Sequence, residues 1–456
     1  MAVIGGGNAA MCAAVTAAEG GARVLVVDSA PAERRGGNSR LTRNIRVMHD
    51  GPVAPLPDSY SENDYWSDLA SVTEGETNEP LARMTIRKSS ELIPWMRDHG
   101  VDFEPAHEGT LNLTRTNAFF LGGGLALMDA HYANAHRLGV SVLYGTDVVD
   151  VVLDSHTVTG IVLSNDDGEA TLHPRAVVAG CGGFQANLDW LAEYWGNAAR
   201  NFFIRGTPYN TGHVLRRLLS QGVESVGDPT QFHAVAIDGR APRFDGGLDS
   251  RLDCIPFSIV VNRHAKRFYD EGEDLWPKRY AIWGRLVALE DEQIAYSIFD
   301  SKSAGLYRTP MYPPVSRDTI HDLAIALRLD PRVLAATVDE FNAAVLPGSF
   351  DKETLDDCST SGTFPAKSHW ARRIDTPPYY AYPLRPGITF TYMGVRVDDT
   401  ARVVMSDGNP ADNLFACGEI MSGNLLGKGY LAGFGMTLGS VFGRIAGKEA
   451  AAQTLS

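Results

Sequence analysis

The apolar and polar positions of this chain open on a compact pattern. Residues 3–28, VIGGGNAAMCAAVTAAEGGARVLVVD, read as a short apolar strand, a glycine turn, an alanine-rich helix and a second strand. Residues 62–99 read as helical, with Pro80 near a helix start and Gly100 closing the amphipathic run. Gly122 to Gly124 precede a helix over Leu125 to Leu138 and a strand over Val140 to Tyr144. Residues 147–179 alternate with a period of two and predict three strands in meander, turning at His156 and at Asp166-Asp167-Gly168. A TPYNTG turn leads into a helix from His213 to Gln221. From about His233 to Pro377 prolines, aromatics and charges mix, which suggests a separate domain inserted in the chain; Ser258 to Val261 is its clearest strand.

The last long segment, from Asp412 to Lys448, predicts a strand (Leu414 to Cys417), a Gly-Glu turn, a glycine-rich loop and a helix. Gly435, Gly439, Gly443 and Gly447 recur every fourth residue, so they share one helix face. Each glycine costs a helix interior roughly 1 kcal/mol against alanine, so the row needs a packing or ligand reason. The helix's positive N-terminal end can face an electron-rich group. Arg444, Lys448 and Glu449 interrupt the apolar run, which argues against a transmembrane helix.

The first turn is a GxGxxA pattern. Gly5 serves the tight turn, Gly7 the close approach of a pyrophosphate, and Ala10 the contact of helix with strand. Asp28 ends the second strand, where a ribose hydroxyl is bound in such units. Gly36, Gly37, Asn38 and Ser39 form a second tight turn, either a surface loop or a second approach of backbone to a cofactor.

Length and charge narrow the picture. At 456 residues, two or three domains are expected. A formal charge of −14 argues against nonspecific nucleic-acid binding, and an anionic substrate would need local positive charge. The first strand begins at residue 3, so no signal peptide is expected. The 5 cysteines are scattered without a CxxC pair, which fits a reducing cytoplasm and argues against an iron–sulfur cluster, a structural zinc or any metal site.

Six motifs stand in a familiar order: the glycine turn at 5–10, GGNS at 36–39, AGCGGF at 179–184, NRHAKRFYDEG at 262–272, TYMGV at 391–395 and CGEI at 417–420. Together they resemble the fumarate reductase/succinate dehydrogenase flavoprotein family over essentially the whole chain. GEIMSGNLLGKGYLAGFGMTLGSVFGRIAG and the run from Arg251 to Arg285 look like its tricarballylate dehydrogenase branch, whose members oxidise tricarballylate to cis-aconitate.

The resemblance implies an α/β fold. A discontinuous Rossmann-like FAD-binding domain (1–232 and 378–456) would carry an inserted α+β capping domain (233–377). It implies FAD over Gly5, Gly7, Asn8, Ala9 and Ala10, its ribose on Asp28, with Gly36 to Ser39, Gly182, Gly183, Gly418, Glu419, Ala432 and Gly433 completing the site. Relatives that attach FAD covalently use a histidine where this chain has Asn38, so noncovalent FAD is expected.

It also implies Arg279 as acid/base, with Glu271 or Glu273 as proton relay; the alternative for Arg279 is a structural ion pair. His233 stands near a substrate histidine of the family, or is a satisfied core histidine. Two positions depart from the family: Thr391 replaces a histidine, and Tyr430 replaces the carboxylate-binding arginine. Tyr430 then serves as a hydroxyl ligand or packs on the flavin. A different carboxylate clamp is expected, from Lys428, Arg115, Arg251 and Arg385, each alternatively a solvated surface cation.

The expected activity is FAD-dependent α,β-dehydrogenation of a small polycarboxylate, tricarballylate first. Another small acid or a ketone is the alternative, and a catalytically idle flavin-binding electron-transfer module the reading from another class. No haem or cluster motif is present, so electrons would leave to a separate acceptor: a membrane iron–sulfur/haem protein, a quinone or oxygen. The expected location is the cytoplasm, with membrane association only through such a partner.

Overall fold

The structure is a computed structural model and describes residues 1–105, 113–245 and 250–455. Its first layer is a six-stranded sheet in the order Arg402–Val404, Pro410–Ala416, Val177–Ala179, Ala2–Ile4, Leu25–Val27, Ser141–Leu143. All neighbours are parallel except the first pair. The chain leaves Ala2–Ile4 to one side and returns as Val177–Ala179 on the other. The resulting crevice beyond the strand ends is where this architecture binds ligands. Helix Asn8–Glu19 begins there.

The meander expected at 147–179 forms only in part. Asp147–Asp154, Thr157–Asn165 and Gly168–Leu172 make a three-stranded antiparallel sheet. Pro174 lacks the N–H that would extend the third strand. The chain breaks there, and Val177–Ala179 joins the parallel sheet instead. The helical stretch 62–99 resolves into Glu62–Thr73, Glu79–Ser89 and Leu92–Asp98. Ser61 and Asn78 cap the first two through their side chains.

A second sheet of seven strands is built around the long strand Tyr379–Thr391. Phe203–Arg205, Phe232–Asp238, Ala295–Asp300 and Val315–Arg317 all pair with it. This sheet therefore draws strands from both flanks of the segment 233–377. Helices Ile320–Leu327 and Pro331–Ala344 cover part of it through a separate apolar core.

The terminal helix, Phe434–Leu455, explains its own glycine row. A Cβ at Gly443 would overlap the carbonyl oxygen of Ala9, and one at Gly447 that of Ala13. The helix thus lies backbone to backbone on Asn8–Glu19. The first glycine of the row differs: Gly435 faces the ends of Tyr430 and Phe390 and lines the central cavity. No helix among the described residues is long and apolar enough to cross a membrane.

Candidate active site

One cavity runs from the first glycine turn to the seven-stranded sheet. Its near end is a cradle of glycines. Gly5 has φ 104° and sits so close to Gly180 that a side chain there would overlap the Gly180 carbonyl region. Gly6, which sequence reasoning passed over, is equally restricted: a Cβ would collide with the carboxylate of Asp28 and the hydroxyl of Tyr132. At Gly7 the nearest atom to such a Cβ is Ser39 Oγ at 3.6 Å, and the two glycine turns meet here. Ser39 Oγ accepts from the N–H of Asn8 at 3.1 Å. Asn8 is buried and donates to Ser440 Oγ at 2.9 Å, tying the two helices together below the cradle. Ala9 lines the cavity, whereas Ala10 packs under the turn against Gly180.

Asp28 is 7% exposed, and its Oδ2 has no hydrogen-bond partner among the described residues. Burial pushes its carboxyl up to about 6, against the one backbone N–H it accepts from Ala30. A buried acceptor without a donor is costly, and a ribose hydroxyl would satisfy it. The cradle, the helix N-terminus and this orphaned oxygen fit the ribose-pyrophosphate half of FAD.

Further along, Gly182 and Gly418 adopt positive φ and Glu419 is buried. Burial pushes Glu419 up to about 7, although the Thr391 N–H, Gln185 and Asn210 all donate to it. Thr391 is spent here, holding Glu419 and accepting from the Phe184 N–H, so Thr389 and Phe390 face the cavity in its place. Asn38 donates to Thr389 O and accepts from Thr207 N–H, both at 2.7 Å. It pins the second turn to the seven-stranded sheet. Ala432 offers its carbonyl to Arg46 and Asn117, which orients Gly433 at the mouth of the terminal helix.

The far end of the cavity is lined by Arg43, Arg205, Arg251, His233, Tyr280, Phe390 and Tyr430. A register shift between His233 and Ala234 bulges the strand, which re-aims a side chain. The His233 ring stacks on Tyr430, centroids 3.9 Å apart and 1° from parallel. Both its nitrogens lack partners among the described residues. Burial first, then Arg205 and Arg251, hold it well below its ordinary pKa, so it is neutral. The Tyr430 hydroxyl accepts from Gly435 N–H at 3.1 Å, and burial raises its pKa.

Three guanidiniums share this end. Arg205 donates to Thr389 Oγ1 at 3.2 Å. Arg251 pairs with Asp253 at 2.6 Å. Burial lowers both Arg43 and Arg205 to about 10, and repulsion from Arg251 adds to it in each case. Sequence reasoning named Arg251 alone. Arg43 follows the second glycine turn and Arg205 sits on a short strand, and neither stands in a motif.

The other expected site residues lie elsewhere. Arg279 pairs with Glu273 at 3.0 Å and does not line the cavity, and Tyr269 donates to the same carboxylate. The structural ion pair is thus the geometry observed for Arg279. Its neighbour Tyr280 reaches the cavity instead. Glu271 is buried in the second sheet's core, bound twice by Arg267 and once by Val260 N–H, with Lys367 3.9 Å away. Burial lowers Lys367 to about 8. With every oxygen engaged, Glu271 is a structural anchor rather than a relay. Lys428 pairs with Glu74, Arg115 with Asp64, and Arg385 donates to the carbonyls of Glu292 and Gln293. None of these three lines the cavity.

Comparison with known proteins places this geometry. Residues 1–435 match the family described as FAD binding domain. NADH:fumarate oxidoreductase of Klebsiella pneumoniae is 24% identical over 98% of this chain, which spans 47% of that protein, about half its length. A flavocytochrome c3 fumarate reductase in its open conformation superposes with a TM-score of 0.77 at 22% identity, covering 100% of this chain and 78% of its own. The 3-ketosteroid-Δ4-(5α)-dehydrogenase of Rhodococcus jostii RHA1, solved with 4-androstene-3,17-dione, gives 0.74 at 22% identity, over 99% of this chain and 96% of its own. The chain belongs to the FAD binding domain family, and FAD is its cofactor.

Proposed function

We propose that the chain is an FAD-dependent dehydrogenase acting on the CH–CH bond of a small polycarboxylate, tricarballylate to cis-aconitate being the first candidate. The observation that carries this reading is the gathering of Arg43, Arg205 and Arg251 at one end of the flavin cavity, beside His233 and Tyr430. A chain of formal charge −14 that gathers three half-buried guanidiniums in one cavity has built a local anion site.

The α C–H of a carboxylate is a very weak acid. Guanidiniums around the carboxylate stabilise the charge that develops when that proton leaves. Neutral His233 offers one donor and one acceptor to a substrate oxygen. The cavity's lining at this end is largely buried side chains, His233 and Tyr430 among them, and a low-dielectric surround strengthens each of these contacts. Gly5 to Ala9, Asp28, Gly182, Glu419 and Gly433 would hold FAD, which supplies a two-electron acceptor for hydride when bound. Asn38, an amide held by Thr389 and Thr207 rather than a histidine, supports noncovalent attachment. Electrons leave to a separate acceptor.

Anaerobic titration of the oxidised holoprotein with single acids tests the reading. Bleaching of the flavin by tricarballylate, with cis-aconitate formed, is the expected result. No bleaching by any di- or tricarboxylate, in protein that dithionite still reduces, would overturn it. A ketone substrate is the second reading, favoured by the Tyr280 and Tyr430 hydroxyls at the same end. Bleaching by a cyclic ketone and by no acid is the outcome it requires.

Asp28→Asn tests the cofactor assignment separately. The expected result is FAD bound about 10-fold to 100-fold more weakly, from loss of a charged acceptor worth roughly 1.5–3 kcal/mol. The apo-protein at pH 7 is expected to be no less stable, because ionising a carboxyl raised to about 6 costs the fold. Equilibrium dialysis and thermal melts read the two effects. Equal FAD affinity in the two proteins would remove Asp28 from the site.

A further inference from the structure

We propose that Tyr280 is the catalytic residue that exchanges a proton with the substrate carbon, a step that rests on the dehydrogenase reading above. Tyr280 lines the cavity at its cationic end. The Arg251 guanidinium lies over its ring at 5.2 Å, and the His233 ring meets it edge-on at 5.7 Å. Arg279, one residue earlier, turns away to Glu273.

The position of Tyr280 is built rather than incidental. Its N–H bonds Trp276 O at 2.8 Å, and the Trp276 indole donates to Asp253 Oδ1 at 2.7 Å. The other oxygen of Asp253 holds Arg251 at 2.6 Å. One carboxylate therefore fixes the phenol-bearing segment and the guanidinium above the phenol in a single frame. Lys278, on the same short helix, pairs with Asp68 at 3.0 Å and ties this frame to helix Glu62–Thr73.

The chemistry follows from the charges. Burial raises the phenol's pKa, while Arg251, Arg205 and Arg46 lower it and Asp253 raises it. Burial outweighs the cations, so the phenol rests protonated, and the three guanidiniums lower the cost of the phenolate that the oxidative direction requires. In the oxidative direction the α C–H bond breaks, its proton passes to the Tyr280 oxygen, and its electron pair becomes the new π bond. FAD, when bound, would supply the two-electron acceptor that takes the β hydrogen with its own pair. In the reverse direction the phenol returns the proton to carbon.

Tyr280→Phe removes one oxygen and keeps the ring. Stopped-flow reduction of the holoprotein's flavin by tricarballylate is expected to slow about 100-fold to 10,000-fold, the usual range for loss of a general acid or base. Calorimetric binding of citrate, used as an unreactive polycarboxylate, is expected to change less than about threefold, since the arginines remain. Wash-in of solvent deuterium at the substrate α carbon is expected to disappear. Arg279→Gln is expected to keep the wild-type rate within about threefold, as for a partly exposed ion pair. Undiminished reduction in Tyr280→Phe, or a matching loss in Arg279→Gln, would overturn the assignment. Wild-type flavin that no polycarboxylate reduces would overturn the underlying reading, and the assignment with it.

Discussion

Valine in place of Gly443 is expected to destabilise the fold strongly and to weaken FAD binding with it. The added Cβ would overlap the Ala9 carbonyl and come within 2.9 Å of the Cys12 Cβ. Ala9 belongs to the helix that begins at the glycine cradle, so the obstacle is backbone and cannot rotate away. Helix Phe434–Leu455 would have to lift from Asn8–Glu19, breaking the Asn8–Ser440 bond on the way. Overpacking of a core commonly costs about 1–3 kcal/mol, and here branched bulk meets main chain. A loss of at least about 3 kcal/mol is expected, a large part of the roughly 5–15 kcal/mol that holds a domain folded. Urea unfolding of wild type and variant, followed by far-UV dichroism with FAD present, measures it. Gly435→Ala is the contrast. Its Cβ meets the Tyr430 hydroxyl at 2.7 Å and Phe390 at 3.3 Å, both ends of side chains that can move. The fold is expected to survive that change. A Gly443→Val protein with an unchanged urea midpoint would show that the helices do not touch as described.

What the sequence made legible was local. The strand–glycine–helix–strand unit at 2–28 declares itself because each of its residues answers a neighbour a few positions away. The terminal glycine row is equally plain, and only its partner is hidden. Nothing in GSVFGRIAG says that the backbone it needs lies more than 400 residues earlier. The cationic end of the cavity was hidden for the same reason. Arg205 reaches it because Phe203–Arg205 pairs in parallel with Tyr379–Thr391, and Arg251 reaches it from a different segment, bridged to Ile237 of the same sheet. Arg279 and Tyr280 differ by one residue and so by about 100° around a helix turn, enough to send one to solvent-side Glu273 and the other into the cavity. Resemblance supplied the motif but not its phase. Glu271 shows the converse: a carboxylate in a recognisable motif is consumed by Arg267 and Val260, and Lys367 arrives from far along the chain.

Arg205→Met is expected to cut carboxylate turnover severely while leaving flavin in place. Arg205 donates to Thr389 Oγ1, feels the like charge of Arg251, and lines the same cavity as His233. Loss of one preorganised donor aimed at developing charge commonly lowers turnover about 100-fold to 1,000-fold, and a charged donor belongs at the upper end. kcat/KM for tricarballylate is therefore expected to fall about 1,000-fold, a barrier increase of roughly 4 kcal/mol. Arg205→Lys restores the charge without the planar fork and is expected to recover only part of the loss. Arg251→Met differs in kind. It strands Asp253, whose carboxyl Arg251 helps to hold below the usual range against burial. Removing one partner of this half-buried pair is expected to cost about 1–3 kcal/mol of stability, less than the loss for a fully buried pair. Turnover and melting temperature are then both expected to fall, where Arg205→Met moves chiefly the first. The two variants separate a substrate cation from a framework cation at one site. A ketone turned over equally well by wild type and Arg205→Met, with no acid turned over by either, would transfer the cavity to the second reading.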